Sequence, residues 1–230
     1  MIRSRRFVIA ATLASPEPCC ETTARYGAGR GHAHAHGSVV GRRTRRQQVN
    51  GILVVSATKS EALHVPERYD TLITGIGKVT AAVAVTAALA RYPEGRRPLV
   101  VNIGTAGALR SAHGGLYLPS TVINHDISSE VLRSLGHPVA DTLTFEDGDG
   151  TILATGDSFV SDAEVRDALA ARADLVDMEG FAIASASAHM GASCRLVKHV
   201  SDHADETAMD WPKQIDNSAR VLAEWLVDMY

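Results

Sequence analysis

From Gly51 onward, short apolar runs alternate with stretches of mixed polarity, and the two patterns predict two kinds of element. "GILVVSA" (51–57), "YDTLITGIG" (69–77) and "PLVVNIGTAGAL" (98–109) are rich in Val, Ile and Leu, the pattern of strands buried on both faces. "KVTAAVAVTAALARY" (78–92) carries small apolar residues on every face, so a helix here is buried or packed against a partner. "GGLYLPSTVINHDI" (114–127) reads as a strand pair or one long bent strand, and "GTILATGDSFV" (150–160) as a strand running into a loop. "DAEVRDALAAR" (162–172) is amphipathic, with Asp162 positioned to cap it. Then follow the strand "ADLVDMEG" (173–180), the helix "FAIASASAHMG" (181–191) and the strand "SCRLVKHVSD" (193–202). A last helix starts near Pro212, with Ile215, Ala219, Leu222, Leu226 and Met229 on one face.

Alternating strands and helices predict an α/β fold with a mostly parallel sheet covered on both faces. Several strands end in small or polar residues: Ser56-Ala57, Gly75-Ile76-Gly77, Gly104 to Gly107, Glu179 and Ser201-Asp202. Such ends gather on one side of an open sheet, where these folds bind ligands.

Charge divides the chain near residue 50. The net charge of −3 is the sum of +7 on residues 1–50 and −10 on the remainder. The first fifty residues show no core periodicity and read as a disordered basic extension, with residues 51–230 as the folded domain. The start has the outline of a secretory signal, but its apolar run, Phe7 to Ala14, is short for one. His32, His34 and His36 alternate as a metal-binding tract can, and "GRRTRRQQ" could touch RNA or acidic lipid. A second expectation is that translation starts at Val49; native peptides from residues 1–48 in mass spectrometry would contradict it. The three cysteines, Cys19, Cys20 and Cys194, have no disulfide or zinc spacing, which fits a reducing cytoplasm. No apolar run is long enough to span a membrane. Overall negative charge argues against nucleic acid as the main partner.

"TGIGKVT" (74–80) fails as a P-loop, since one residue rather than four separates its first Gly from Gly-Lys and Val79 follows. It also lacks the full dinucleotide GxGxxG, so a tight turn into a helix is the better account. In "LVDMEGFAIASASA" an acid, Glu179, sits between a core strand and a core helix. It is either a helix-start carboxylate favoured by the dipole or a ligand-binding acid at a strand end.

Five segments, "GIGKVTAA", "NIGTAGAL", "ATGDSFV", "VDMEGFA" and "VSDHAD", occur in the order and approximate spacing of the nucleoside phosphorylase/nucleosidase superfamily. Residues 51–230 resemble most the 5'-methylthioadenosine/S-adenosylhomocysteine nucleosidases. The resemblance implies a three-layer α/β/α sandwich around a twisted, partly closed, mixed but mostly parallel sheet. It implies hydrolysis of a purine nucleoside's N-glycosidic bond with no metal or cofactor, and a homodimer. Glu179 would accept hydrogen bonds from the ribose hydroxyls, with Met178 against the sugar; a carboxylate offers only acceptors and a diol two donors. Asp202 would be the general acid that protonates the leaving purine at N7, with Ser201 orienting it. Phe159 would stack on the base while the Val160 backbone reads its edge. Glu61 would position the attacking water, with Thr105 lining that site and Lys198 standing where the nucleosidases usually carry Arg.

The same resemblance separates water from phosphate as nucleophile. Phosphorylases need several cationic donors around phosphate. Asn102 stands where the hexameric purine phosphorylases have a phosphate-binding Arg, and Lys59 sits close to the carboxylate of Glu61 in sequence. Hydrolysis is therefore expected, with phosphorolysis as the alternative. A nucleoside-binding protein without turnover is the alternative of another class. The stretch from "VINHDISSE" to "DGDGTIL" is shorter than in typical methylthioadenosine nucleosidases. Thr58 replaces an apolar residue near the substrate's 5' end, where it could meet a hydroxyl, and Trp211 takes the place of a lid Phe. Methylthioadenosine, adenosylhomocysteine, futalosine and a plain purine nucleoside all remain as substrates.

Overall fold

A computed structural model describes residues 51–230. The basic extension, its His triplet and Cys19 and Cys20 lie outside the described residues. Strand β1 (Ile52–Ser56) shows how the layers form. Leu53 and Val55 pack on Ala81, Val85 and Leu89 of helix α1 (Lys78–Leu89) and on Ile183 and Ala186 of α4 (Gly180–His189). Val54, between them, points the other way and meets Leu222 and Leu226 of α5 (Trp211–Met229). Strands β7 (Ile152–Thr155) and β8 (Leu175–Asp177) repeat this alternation. Their Leu153 and Leu175 pack with Phe181 and Ala184 of α4, while Ala154 and Val176 pack with Leu169 of α3 (Ala163–Ala170). Helices α1 and α4 thus cover one face and α3 and α5 the other, the expected three layers.

Among the described residues the sheet has nine strands, mixed but mostly parallel. Its main path runs β2 (Asp70–Ile73), β1, β3 (Leu99–Ala108), β8, β7, β5 (Thr121–Asn124) and β6 (Thr142–Thr144). Strand β9 (Cys194–Asp202) lies parallel to β3, and β4 (Leu116–Tyr117) pairs antiparallel with β9. The 114–127 stretch is therefore two strands, but they serve different partners.

Strand β3 carries the feature that makes a site. Its first residues pair with β1 as far as Asn102, and its last two pair antiparallel with β8, Gly107 opposite Val176. Between these pairings the sheet changes neighbours, the arrangement that opens a crevice in α/β sheets. On the other side, the register of β3 with β9 slips between Ala106 and Gly107: Ala106 faces Val200 and Gly107 faces Asp202. Ser201 is the extra residue of a bulge, a device that re-aims a side chain beside a site.

Helix ends follow local chemistry where it is strong. Asp162 caps α3, accepting from the N–H groups of Glu164 and Val165. Two helices leave part of their apolar residues exposed in the single chain. Helix α1 buries only one side, and Val79 and Val83 are 72% and 64% exposed. On α5, Ala219, Leu222 and Leu226 are buried, whereas Met229 is half exposed. Among the described residues, no helix is long and apolar enough to cross a membrane.

Candidate functional site

The crevice at the sheet's change of neighbours is a cleft lined by Glu61, Thr105, Phe159, Glu179, Asp202 and Trp211, among others. Glu61 lies in the turn after β1 and is buried. Its Oε1 accepts from the backbone N–H of Thr105 at 2.8 Å and the Thr105 hydroxyl at 2.9 Å. Its Oε2 accepts from Ser56 Oγ (3.3 Å), Thr58 N (3.1 Å) and Thr58 Oγ1 (3.0 Å). The turn "SATKSE" folds back because Ser and Thr hydroxyls can satisfy a nearby carboxylate locally. The Thr105 N–H is free to reach Glu61 because it lies between the two strand pairings on that edge of β3.

Behind this wall lies a buried ion pair. Lys198 Nζ is 2.8 Å from Asp177 Oδ2, with side chains 2% and 1% exposed. Asp177 Oδ1 also accepts from Thr155 Oγ1 at 2.6 Å, and Oδ2 from the Gly180 N–H at the start of α4 at 2.9 Å. A Cβ added at Gly104 would lie 3.2 Å from Lys198 Nζ and 3.3 Å from Glu61 Oε1, so both groups approach the same point of β3. Burial alone would pull the Lys198 ammonium down, but Asp177, Glu179 and Glu61 together hold it above its ordinary value.

Glu179 is buried at the join of β8 and α4. Its Oε1 accepts from the Gly77 N–H at 2.8 Å, and its side chain makes no bond to the start of its own helix, so it is not a cap. Gly77 allows that contact: its φ is +99°, and an added Cβ would also press to 3.3 Å on Asp157. Burial, then the charge of Asp177, pushes Glu179 up to about 7, with Lys198 opposing. A group whose folded value is raised favours folding below its unfolded value of 4.5, and that contribution is lost as pH rises through about 7. Relative to Glu179→Gln, the ligand-free wild type should therefore lose roughly 2–3 kcal/mol between pH 5 and 8, read by urea unfolding. Parallel curves would contradict this placement of the charge.

Asp202 stands across the cleft, released into it by the Ser201 bulge. Its Oδ2 accepts from Ser201 Oγ at 2.7 Å and its Oδ1 from the Ala204 N–H at 2.9 Å. Ala204 has φ +50° and is fully buried, a left-handed conformation that is rare for a residue with a Cβ. The turn is held there by packing: Ala204 sits in the cluster with Val160, Val176 and Leu109. Gly107 is the close approach that leaves room. A Cβ there would lie 3.0 Å from Ala204 Cβ, 3.1 Å from Asp202 Oδ1 and 3.2 Å from Val176 Cγ1. Gly107→Ala should displace this carboxylate and lower turnover roughly 10–100-fold while costing about 1–3 kcal/mol of stability. Steady-state kinetics beside thermal unfolding would separate the two effects.

Of the residues singled out in the sequence, Glu61, Thr105, Phe159, Val160, Met178, Glu179, Ser201 and Asp202 all line this one cleft. Phe159 is 51% exposed, and the side chain of Val160 is buried in the core, so only its backbone can face a ligand. Lys198 stands apart from them, buried behind the wall. Asn102 is buried and donates to Val55 O and Ile103 O, and Lys59 is exposed to solvent. The Thr58 hydroxyl is already engaged by Glu61, both as donor to Oε2 and as acceptor from the Glu61 N–H. Sequence reasoning missed Asp177, the Ser56 and Thr58 donors to Glu61, and the Gly77 N–H. Asp177 alone left a trace, as an acid inside an otherwise apolar strand end. Among the described residues, no group of three or more His, Cys, Asp or Glu could hold a metal.

A twisted α/β/α sandwich with carboxylates converging at the switch of its sheet defines the class. The chain belongs to the Phosphorylase superfamily, whose sequence profile it matches over residues 71–229. It is 31% identical over 118 residues to the aminodeoxyfutalosine nucleosidase of Helicobacter pylori (strain ATCC 700392 / 26695), covering 49% of each chain. It is 27% identical over 179 residues to the 5'-methylthioadenosine/S-adenosylhomocysteine nucleosidase of Marinomonas sp. (strain MWYL1), covering 66% of this chain and 74% of that one. The chain thus spans about half the length of the first of these curated relatives. Its fold is that of a mutant Helicobacter pylori nucleosidase crystallised with 5'-methylthioadenosine: TM-score 0.68, 20% identity, 78% of this chain and 97% of that one. The futalosine hydrolase of Helicobacter pylori strain 26695 is equally similar: TM-score 0.67, 21% identity, 79% of this chain and 99% of that one.

Proposed function

We propose that this protein hydrolyses the N-glycosidic bond of a purine nucleoside, with water as nucleophile. The observation that carries this reading is the charge inventory of the cleft. Four acids line it, and one of them, Asp177, is paired at 2.8 Å with the nearest buried cation, Lys198, which leaves Glu61, Glu179 and Asp202 without a cationic partner of their own. An oxocarbenium-like sugar gains from acids around it, whereas phosphate needs several free cationic donors.

In this mechanism Glu179 accepts hydrogen bonds from the ribose hydroxyls; no described residue donates to its Oε2. Met178 lies against the sugar, and Phe159 stacks on the base while the Val160 backbone reads its edge. Asp202, oriented by Ser201, gives a proton to purine N7 as the C1'–N9 bond breaks, so the base leaves neutral. A water held by Glu61 and Thr105 forms the new C1'–O bond and yields its proton to Glu61. Lys198 keeps Asp177 from adding an uncompensated charge beneath that site. One proton enters the base and one leaves the water, and the products are free purine and free sugar.

Relatives named for methylthioadenosine and for aminodeoxyfutalosine support an adenine nucleoside modified at the 5' position. The remaining cleft wall supports an apolar 5' group: Ile76 and Trp211 line it, and the Thr58 hydroxyl is spoken for. We further propose a homodimer, supported by the exposed stripe of Ile76, Val79 and Val83 beside the cleft, and a cytoplasmic location.

The test is product analysis on a panel of purine nucleosides and 5'-thionucleosides, with and without phosphate. Free sugar formed at a rate independent of phosphate supports hydrolysis. Sugar 1-phosphate formed only with phosphate would establish phosphorolysis. Binding without base release would make this a nucleoside-binding protein.

A further inference from the structure

Trp211, the first residue of α5, lies 106 positions from Thr105 in sequence, yet its indole Nε1–H donates to Thr105 Oγ1 at 2.8 Å. The direction of that bond is fixed, because an indole nitrogen is a donor only. The Thr105 hydroxyl has one proton and must accept from Trp211, so its own proton is free for Glu61 Oε1, 2.9 Å away. The three groups form a one-way relay: indole to hydroxyl to carboxylate. The segment from Asp202 to Trp211 thereby spans the cleft with an anchor at each end. One end holds the Asp202 carboxylate through the Ala204 N–H, and the other reaches Glu61 through Thr105.

We propose that Trp211 is a positioning residue that acts through Thr105, fixing the hydroxyl so that Glu61 keeps the orientation needed to hold the attacking water. This rests on the hydrolase reading above. A tryptophan serving only as an apolar wall would need its ring and not its N–H. The relay needs the N–H, and hydrogen bonds in such a chain polarise and reinforce one another.

The variants Trp211→Phe, Thr105→Val and the double substitution separate the two roles, with Thr105→Ser as the conservative control. Phe keeps most of the ring and loses the donor. Trp211→Phe should lower kcat roughly fivefold, the rate equivalent of one hydrogen bond, and move KM by less than about twofold. Thr105→Val should lower kcat further, and adding Trp211→Phe to it should cost nothing more, since the relay is already cut. Equal losses in both backgrounds, or a raised KM with unchanged kcat, would overturn the proposal. A second readout does not need turnover. The chain has two tryptophans, so Trp225→Phe leaves Trp211 as the only one, excited selectively over the tyrosines at long wavelength. In that protein Glu61→Gln should shift the Trp211 emission, and Thr105→Val should abolish the response while Thr105→Ser keeps it. An emission blind to Glu61→Gln would overturn the coupling. If no nucleoside is cleaved, the hydrolase reading fails, and this emission cycle alone decides whether Trp211 and Glu61 are linked.

Discussion

Asp202→Asn is expected to lower kcat by roughly 10²–10⁴-fold, the usual contribution of a general acid, while nucleoside affinity changes little. The substitution is nearly isosteric. Its amide oxygen can still accept from the Ala204 N–H, and its NH₂ can meet Ser201 Oγ, the two partners that hold the native carboxyl at 2.9 and 2.7 Å. The buried left-handed turn at Ala204 and the bulge at Ser201 therefore keep their geometry. What disappears, in the mechanism proposed above, is the proton given to the purine as the glycosidic bond breaks. Calorimetric binding of nucleoside beside single-turnover base release separates the two quantities. An Asn variant that cleaves at the wild-type rate would show that the purine leaves without help from this residue.

Lys198→Met should destabilise the fold by about 3–5 kcal/mol and abolish turnover, because it strands a carboxylate in the interior. Asp177 is held from three directions, by Lys198, Thr155 and the Gly180 N–H, with its side chain almost wholly buried. Glu179 and Glu61 share the same cation. Loss of Lys198 should push Glu179, already up to about 7, further toward its neutral form, which cannot offer two acceptors to a diol. The compensating change is Asp177→Asn. The double variant should recover most of the stability, since breaking a buried pair costs more than removing both charges. It should recover less of the activity, because Glu179 remains beside an altered neighbour. Urea unfolding of the two single variants and the double one reads this directly. A double variant no more stable than Lys198→Met would contradict the pairing.

Much of the architecture is legible in the residues because it rests on short-range patterns. The Val and Ile runs of β1 and β3 name buried strands, Asp162 names a helix start, and the small residues at strand ends mark where a ligand can approach. The cleft gathers those strand ends: Ala57, Ile76, Thr105 to Gly107, Glu179, and Ser201 with Asp202. What stays hidden depends on partners far away in the chain. Strand β6 has one half-buried residue, Leu143, between two exposed threonines, and helix α2 (Ser129–Ser134) buries nothing, so neither leaves an apolar signature. The change of neighbours along β3 is invisible because its residues look equally buried throughout. The Lys198–Asp177 pair joins residues 21 positions apart on strands that do not pair with each other, so nothing near Lys198 in "RLVKHV" names Asp177 as its partner. The stripe of Val79 and Val83 gives the reverse case: apolar residues on every side of α1 hide which side meets the sheet and which meets solvent.

Whether water or phosphate attacks C1' is read directly by cleavage of 5'-methylthioadenosine in ¹⁸O-labelled water with phosphate present. Hydrolysis gives adenine and free sugar in equal amounts with no sugar phosphate, and the sugar carries label at C1' in the first turnovers, before its open-chain form exchanges oxygen with solvent. Unlabelled sugar 1-phosphate, or intact nucleoside that binds and is never cleaved, would contradict it.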